Sequence, residues 1–371
     1  MNKSFIQSVG IDMSSKVLNI FLVLFIMVQV SASEYAKIGV YTSILMIFSG
    51  GVACAMAKYE LFEGKKSFYY TLTGLISVSL TAVFYYLYEA HVAVFFFSLC
   101  IIPLVYIERL KAHYISVSKL DLIYKIEFFR VLILVIILSA SYFHLHEVDF
   151  LNFAISYTIS YWVVFFRLLF KSSFLFSNKN NSTLFYSFIR NKSLFIYFFS
   201  IAFGFQLDFY FLSIFSSEEQ LASYNAAYRI YMIMVSLVVI FQNFILGRVL
   251  SGGCESFRKI KFLVLFVIIV LYISGYVYFE FILSLKFYSA SGVLAILSLS
   301  CILSAIYAEK VNQYLCQRKF FKPAIIAIFS VSINAILGFS LVQWLGEFGA
   351  AISTLVSYFI LNLSVARLKY D

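Results

Sequence analysis

Two charged side chains lie deep inside apolar segments and are the first candidates for chemistry. Asp208 lies eight residues before the short polar turn at residues 216–220, and Arg229 lies nine residues after it. If both flanking segments are helical, both groups lie roughly 12–14 Å from the same end of a hairpin, at ~1.5 Å rise per residue. Charges in an apolar bundle are costly, so they usually face its interior or a water-filled cavity.

Amide side chains accompany this pair. Asn225 and Arg229 are four residues apart and therefore share one helix face. Gln206 and Asn334 also lie within apolar segments. We expect these residues, with Asp208, to line a hydrated cavity. Two alternatives stay open: the amides bond across packed helices, or Asp208 and Arg229 form an ion pair that only holds their helices together.

The first half of the chain has its own charged pair. Glu127 and Arg130 are three residues apart, close enough to pair along one helix. We expect Arg130 to be a second cationic contact for a bound solute. The alternative is that its long side chain extends to the cytoplasmic interface.

The composition excludes a soluble protein. Of 371 residues, 63% are hydrophobic and 12% are charged, against about 25% charged in soluble domains. Apolar stretches near the ~20 residues that cross a bilayer predict an all-α membrane protein with twelve spans. They are residues 14–32, 36–57, 67–87, 90–107, 123–143, 149–170, 193–215, 221–246, 260–284, 290–308, 322–345 and 349–366.

The basic residues test this topology. If the N-terminus is cytoplasmic, only Lys37 and Lys286 fall in outside loops, while Arg130 and Arg229 fall within spans. All other Lys and Arg residues lie in cytoplasmic segments or at the cytoplasmic ends of spans, as the positive-inside rule requires. Both termini are therefore predicted to be cytoplasmic. The net charge of +10 reflects topology, so we predict no nucleic-acid partner.

The spans divide evenly around a polar, basic segment. We predict a six-helix lobe at residues 1–171, a cytoplasmic linker at 172–192, and a second six-helix lobe at 193–371, with a cavity between the lobes. The outside loops are short, and no nucleophile elbow, phosphate-binding glycine loop or HExxH sequence is present. We therefore predict neither an enzyme nor a resident metal or cofactor.

Three stretches resemble a known family. They are Glu34–Tyr41 with Gly50 and Gly51, Asp208–Ser217 with Tyr224, Ala227 and Arg229, and Asn334–Leu337 with residues 346–351 and Ser357. They are similar to Wzx-like O-antigen and capsule flippases of the multidrug/oligosaccharidyl-lipid/polysaccharide exporter superfamily. One departure is Gly247, where the family often has a proline.

The resemblance implies a transporter of the bacterial inner membrane that works by alternating access. Its substrate would be an oligosaccharide linked to undecaprenyl diphosphate, and its partners would be membrane lipids, a glycan polymerase and other assembly proteins. Arg229 would bind the diphosphate or hold Asp208. The alternative is a cation-coupled multidrug exporter of the same superfamily, in which Asp208 would bind the coupling ion, H⁺ or Na⁺.

Overall fold

A computed structural model shows the chain as α-helical in the parts it describes. These parts are residues 3–46, 92–116, 120–145, 148–171, 192–204, 206–250, 258–283, 286–316 and 320–368. The chain divides into two compact units, residues 1–199 and 200–371.

Six helices are described in the first unit before residue 172. They are α1 (Lys3–Gln29), α2 (Ala32–Leu45), α3 (Val92–Leu99), α4 (Ile101–Ser116), α5 (Leu120–Leu145) and α6 (Phe150–Lys171). Helix α5 packs between α1 and α6, and α3 packs on α6. The predicted span at 67–87 and the predicted linker, apart from Lys192, lie outside the described residues.

The fourth predicted span is interrupted at Cys100, between α3 and α4. Pro103 lacks the backbone N–H that would bond the Leu99 carbonyl in a continuous helix. Trp162 of α6 donates its Nε1–H to that carbonyl instead, at 3.1 Å. The interruption therefore also fixes α6 against α3.

The second half of the chain contains seven described helices. They are α7 (Lys192–Gly204), α8 (Leu207–Phe215), α9 (Glu218–Leu250), α10 (Arg258–Phe281), α11 (Ala290–Cys316), α12 (Phe321–Leu345) and α13 (Glu347–Ala366). Taking α7 and α8 together, six segments of the described chain are long and apolar enough to cross a bilayer. They match the six spans predicted for this half. The total of twelve spans and the cavity between lobes stay predictions.

One span is not the continuous helix that we expected. One helix of the segment 193–215 ends at Gly204, the next begins at Leu207, and Gln206 lies in a turn, which we call the break. A Cβ on Gly204 would lie 3.0 Å from Cγ2 of Val331, so the glycine permits close approach to α12. Asn334 Nδ2 donates to the Gly204 carbonyl at 3.1 Å. This bond satisfies a backbone group next to the break, as non-helical backbone at membrane depth requires.

The turn between α12 and α13 depends on two glycines, Gly346 and Gly349. Gly346 has φ of 55°, a conformation that favours glycine. A Cβ on Gly349 would lie 2.2 Å from the Leu341 carbonyl oxygen. The two helices therefore pack against each other directly from this turn onward.

Candidate functional site

The helix break places Asp208 in the first turn of α8. Its side chain is buried, with 1% exposure. The N-terminus of a helix carries partial positive charge, which favours a carboxylate there. In membrane transporters, discontinuous helices commonly bind ions or substrates at their broken ends. The position of Asp208 at a helix N-terminus next to a break therefore makes it a candidate binding residue.

Three other helices contribute side chains to the Asp208 carboxylate. Tyr224 of α9 donates a short hydrogen bond to Oδ2. Thr354 of α13 donates to the same oxygen at 2.5 Å, and the Asn334 amide of α12 also lies beside the carboxylate. All four residues are at most 1% exposed. We call this cluster of Asp208, Tyr224, Asn334 and Thr354 the carboxylate site.

Two acceptor oxygens of the carboxylate site are buried and have no hydrogen-bond partner. They are Oδ1 of Asp208 and Oδ1 of Asn334. Buried polar atoms are nearly always bonded to protein, water or an ion. Carboxylate, amide and hydroxyl oxygens are the ligands that hard cations prefer. The donor set therefore fits a proton or a small monovalent or divalent cation.

A row of tyrosines extends the polar surface along α9. Tyr224, Tyr228 and Tyr231 lie on one helix face and are buried. Gln206 donates Nε2–H to the Tyr228 hydroxyl at 3.2 Å, and Ser300 of α11 donates to the Tyr231 hydroxyl at 3.0 Å. Gln206 thus joins the break in the α7–α8 span to α9.

Arg229 does not neutralise Asp208. Its Nε–H donates to Oδ1 of Asn225 at 3.3 Å, which is the pairing expected from their spacing. Both residues lie on a different face of α9 from Tyr224. Within the described chain, Asp208 forms no ion pair, so the alternative of a simple Asp208–Arg229 pair is not observed.

A separate charged network lies in the first unit. Arg130 Nε donates to Oε2 of Glu127 at 3.0 Å, as the sequence spacing predicts. Lys111 of α4 forms a short ion pair with the same Glu127 and a second one with Glu108 at 2.5 Å. The Arg130 guanidinium also lies 4.7 Å from the centre of the Tyr161 ring. The network links α4, α5 and α6.

This network fixes the orientation of Arg130. The Arg130 side chain is only 14% exposed, so it is packed within the unit and does not extend freely to the interface. Burial tends to lower the pKa of Lys111, but its ion pairs with Glu108 and Glu127 outweigh this and raise the pKa above its ordinary value. Lys111 therefore stays charged, and it shares the Glu127 carboxylate with Arg130 in a cluster of two acids and two bases whose charges balance.

The structure thus divides the predicted site residues into three groups. Gln206, Asp208 and Asn334 meet at the helix break, and Asn225 and Arg229 form an adjacent pair on α9, while Arg130 lies in the first unit. Tyr224 and Thr354 were not predicted as site residues. An uncharged hydroxyl in an apolar span gives almost no signal, because only the fold shows that it faces a carboxylate.

Comparison with known proteins shows which fold this is. No protein-family model and no curated protein sequence matches the chain. Solved structures do match over nearly its whole length. The lipid II flippase MurJ in an inward closed conformation has a TM-score of 0.65 and 18% identity, with 97% of this chain and 86% of that chain covered.

MATE transporters share the same architecture. The eukaryotic MATE transporter AtDTX14 has a TM-score of 0.57 and 14% identity, with 98% and 90% of the two chains covered. The MATE transporter ClbM in complex with Rb⁺ has a TM-score of 0.52 and 13% identity, with 99% and 92% covered.

The chain is therefore a multi-pass membrane protein with the fold of MATE transporters and of MurJ. One MATE structure of this set is described as a member of the MOP superfamily. These neighbours are transporters and flippases rather than enzymes. At such low identity the likeness defines the fold.

Proposed function

We propose that this protein is a Wzx-like flippase of the bacterial inner membrane. Its substrate is an oligosaccharide on undecaprenyl diphosphate, an O-antigen or capsule repeat unit, carried across by alternating access. The polar, anionic headgroup cannot cross hydrocarbon unaided, whereas the lipid tail can stay in the bilayer. The likeness to MurJ, a flippase for another lipid-linked precursor, supports this choice.

The observation that carries the proposal is the set of contacts that the Arg130 guanidinium makes. Glu127 and the Tyr161 ring hold its guanidinium, yet among the described residues its two terminal nitrogens have no hydrogen-bond partner. A guanidinium fork matches phosphate oxygens in a bidentate geometry. Arg130 is therefore suited to bind the diphosphate through its terminal nitrogens, while Lys111 is a second cation that pairs with Glu108 and Glu127.

In this proposal the carboxylate site binds the coupling ion. Oδ1 of Asp208 and Oδ1 of Asn334 would bind a monovalent cation, Na⁺ in the first instance, together with the hydroxyls of Thr354 and Tyr224. The complex of ClbM with Rb⁺ supports a monovalent cation in this fold. Binding would change the charge of the broken span and so bias one conformation over the other.

A cation-coupled multidrug exporter is the second candidate, favoured by the MATE neighbours. An exporter of cationic drugs would need a carboxylate whose charge is not already compensated. In the described part of the first unit, the embedded carboxylate Glu127 is already paired with Lys111 and Arg130. Glu127 is therefore already compensated and is not available to attract a cationic drug, whereas the terminal nitrogens of Arg130 can meet an anion.

The test uses the bacterium that carries the gene. Deletion should leave undecaprenyl-linked oligosaccharide on the cytoplasmic leaflet and abolish surface glycan, and the wild-type gene should restore it. Arg130→Gln should fail to restore glycan although the protein reaches the membrane, because the phosphate contact is lost. Arg130→Lys should restore it only weakly, since a lysine lacks the fork.

Arg167→Gln is the matched control. Arg167 is exposed and contacts only the face of the Phe129 ring among the described contacts, so this variant should restore normal glycan. Full glycan from Arg130→Gln would remove Arg130 from the mechanism. Drug sensitivity in the deletion strain, with unchanged glycan, would instead support the exporter.

A flippase of this kind would contact membrane lipids throughout its cycle. It would also deliver its product to a glycan polymerase and other assembly proteins on the outer side. Crosslinking in the native membrane, followed by identification of the bound proteins, tests this partnership.

A further inference from the structure

A second buried carboxylate, that of Glu347, lies at the N-terminus of α13. Glu347 is the first residue of this helix, follows the Gly346 turn, and is 2% exposed. Its Oε2 atom is buried and has no hydrogen-bond partner. A helix N-terminus favours a negative charge by only 0.3–1 kcal/mol, roughly, which is less than the cost of burying an unpaired carboxylate.

Two other helices approach the neighbours of Glu347, Gly346 and Phe348, at this end of the second unit. A Cβ on Gly346 would lie 2.6 Å from Nε2 of Gln220, which is next to the α8–α9 connection. A Cβ on Gly292 would lie 2.8 Å from the ring of Phe348, which brings the start of α11 to the start of α13. The topology predicts that this end faces outside.

Ser289, directly before α11, adds a second unsatisfied group to this junction. It is 5% exposed, and its Oγ atom is buried without a hydrogen-bond partner. Glu347 is also close enough to the neighbouring Tyr288 to raise the pKa of that phenol. A buried carboxylate oxygen and a buried hydroxyl oxygen, each without a partner, therefore lie at the starts of α13 and α11, two helices that approach each other at Phe348 and Gly292.

The position of Glu347 relative to the carboxylate site is defined by α13 itself. Glu347 and Thr354 are seven residues apart, so they lie on the same helix face at a separation of about 10 Å along the axis. Thr354 donates its hydroxyl to Asp208. Between them the helix carries Ala350 and Ala351, both fully buried and small. Glu347 is thus the next carboxylate outward from Asp208 along this face.

We propose that Glu347, with Ser289, is a relay site through which the coupling cation passes between the outer side and Asp208. This inference rests on the proposed cation coupling at Asp208. A carboxylate oxygen and a hydroxyl oxygen can replace part of the hydration shell of a small monovalent cation. A relay of this kind lowers the barrier for both uptake and release of the ion.

The test measures binding and release of ²²Na⁺ by the purified full-length protein in nanodiscs. Glu347→Gln should slow the release of ²²Na⁺ into unlabelled NaCl by about tenfold, the lower range of rate effects from charged paths. Ser289→Ala should slow release by a smaller factor. The direction of change is decisive: a carboxylate that only attracts the ion from a distance would, when neutralised, leave release unchanged or make it faster.

Glu219→Gln is the matched control. Glu219 is an exposed carboxylate in the first turn of α9 and also lies near Tyr288, so its neutralisation should leave the release rate unchanged. Release from Glu347→Gln and Ser289→Ala that is as fast as from wild type, or faster, would overturn the relay.

The proposed function fails in a different way. Asp208→Asn should abolish ²²Na⁺ binding. Equal binding by wild type and Asp208→Asn, or no binding by either, would contradict the sodium site at Asp208 and the relay with it. Loss of binding in Asp208→Asn with normal release from Glu347→Gln and Ser289→Ala would contradict the relay alone.

Discussion

Replacing Asp208 with asparagine changes the charge of the carboxylate site while keeping its shape. The asparagine oxygen can accept the hydrogen bonds that Tyr224 and Thr354 donate to Oδ2. Its amide nitrogen takes the place of Oδ1 and can donate toward the Asn334 amide oxygen, which otherwise has no partner. We therefore expect this variant to fold and reach the membrane but not to respond to Na⁺.

The expected size of the response follows from linkage. A cation that binds only the folded state at about 100 times its Kd stabilises that state by about 2.7 kcal/mol. For a chain of this size, this corresponds to a rise in Tm of about 3–4 °C. Wild type should show such a rise, and Asp208→Asn should show none.

The assay is thermal unfolding of purified protein in NaCl against N-methylglucamine chloride at equal ionic strength. Glu219→Gln should behave like wild type, because this carboxylate is exposed and lies outside the carboxylate site. An equal rise in Tm for wild type and Asp208→Asn would refute the reasoning, since the Na⁺ would then bind elsewhere. No rise in wild type would refute it as well.

Substitutions at three further positions test the packing of the helices. Asn334→Leu removes the donor to the Gly204 carbonyl and should lower the free energy of unfolding by about 1–3 kcal/mol. Asn334→Asp also lacks that donor and should be destabilised as well. Thermal unfolding measures both variants. Gly349→Ala places a methyl group 2.2 Å from a backbone carbonyl oxygen of α12 and should reduce the folded protein recovered from membranes by size-exclusion chromatography, while full recovery would contradict the close packing. Trp162→Phe leaves the Leu99 carbonyl without its indole donor and should cost about 1–3 kcal/mol in thermal unfolding; an unchanged Tm would show that another group satisfies this carbonyl.

Hydropathy predicted the second half of the fold well, because each of its six spans is a long apolar run bounded by polar residues. It could not predict the break at Gln206, since no proline marks it. That break depends on the close approach of Gly204 to Val331 and on the Asn334 amide. Both are tertiary contacts between segments about 130 positions apart in the sequence.

The candidate site was predictable to a similar degree. Asp208 was identified because a charged residue in an apolar span is costly and usually has a function. The Arg130–Glu127 and Arg229–Asn225 contacts followed from helical spacing. Tyr224 and Thr354 were missed, because neither spacing nor composition shows which of many hydroxyl groups faces the carboxylate.

The central claim is that a cation bound at Asp208 drives the movement of a lipid diphosphate oligosaccharide across the membrane. The most direct measurement reconstitutes purified protein in vesicles that contain labelled undecaprenyl-diphosphate oligosaccharide and follows its appearance in the opposite leaflet with and without a Na⁺ gradient. We predict gradient-dependent translocation by wild type and none by Asp208→Asn. Equal translocation by the two proteins, or none by wild type in the presence of the gradient, would contradict the account.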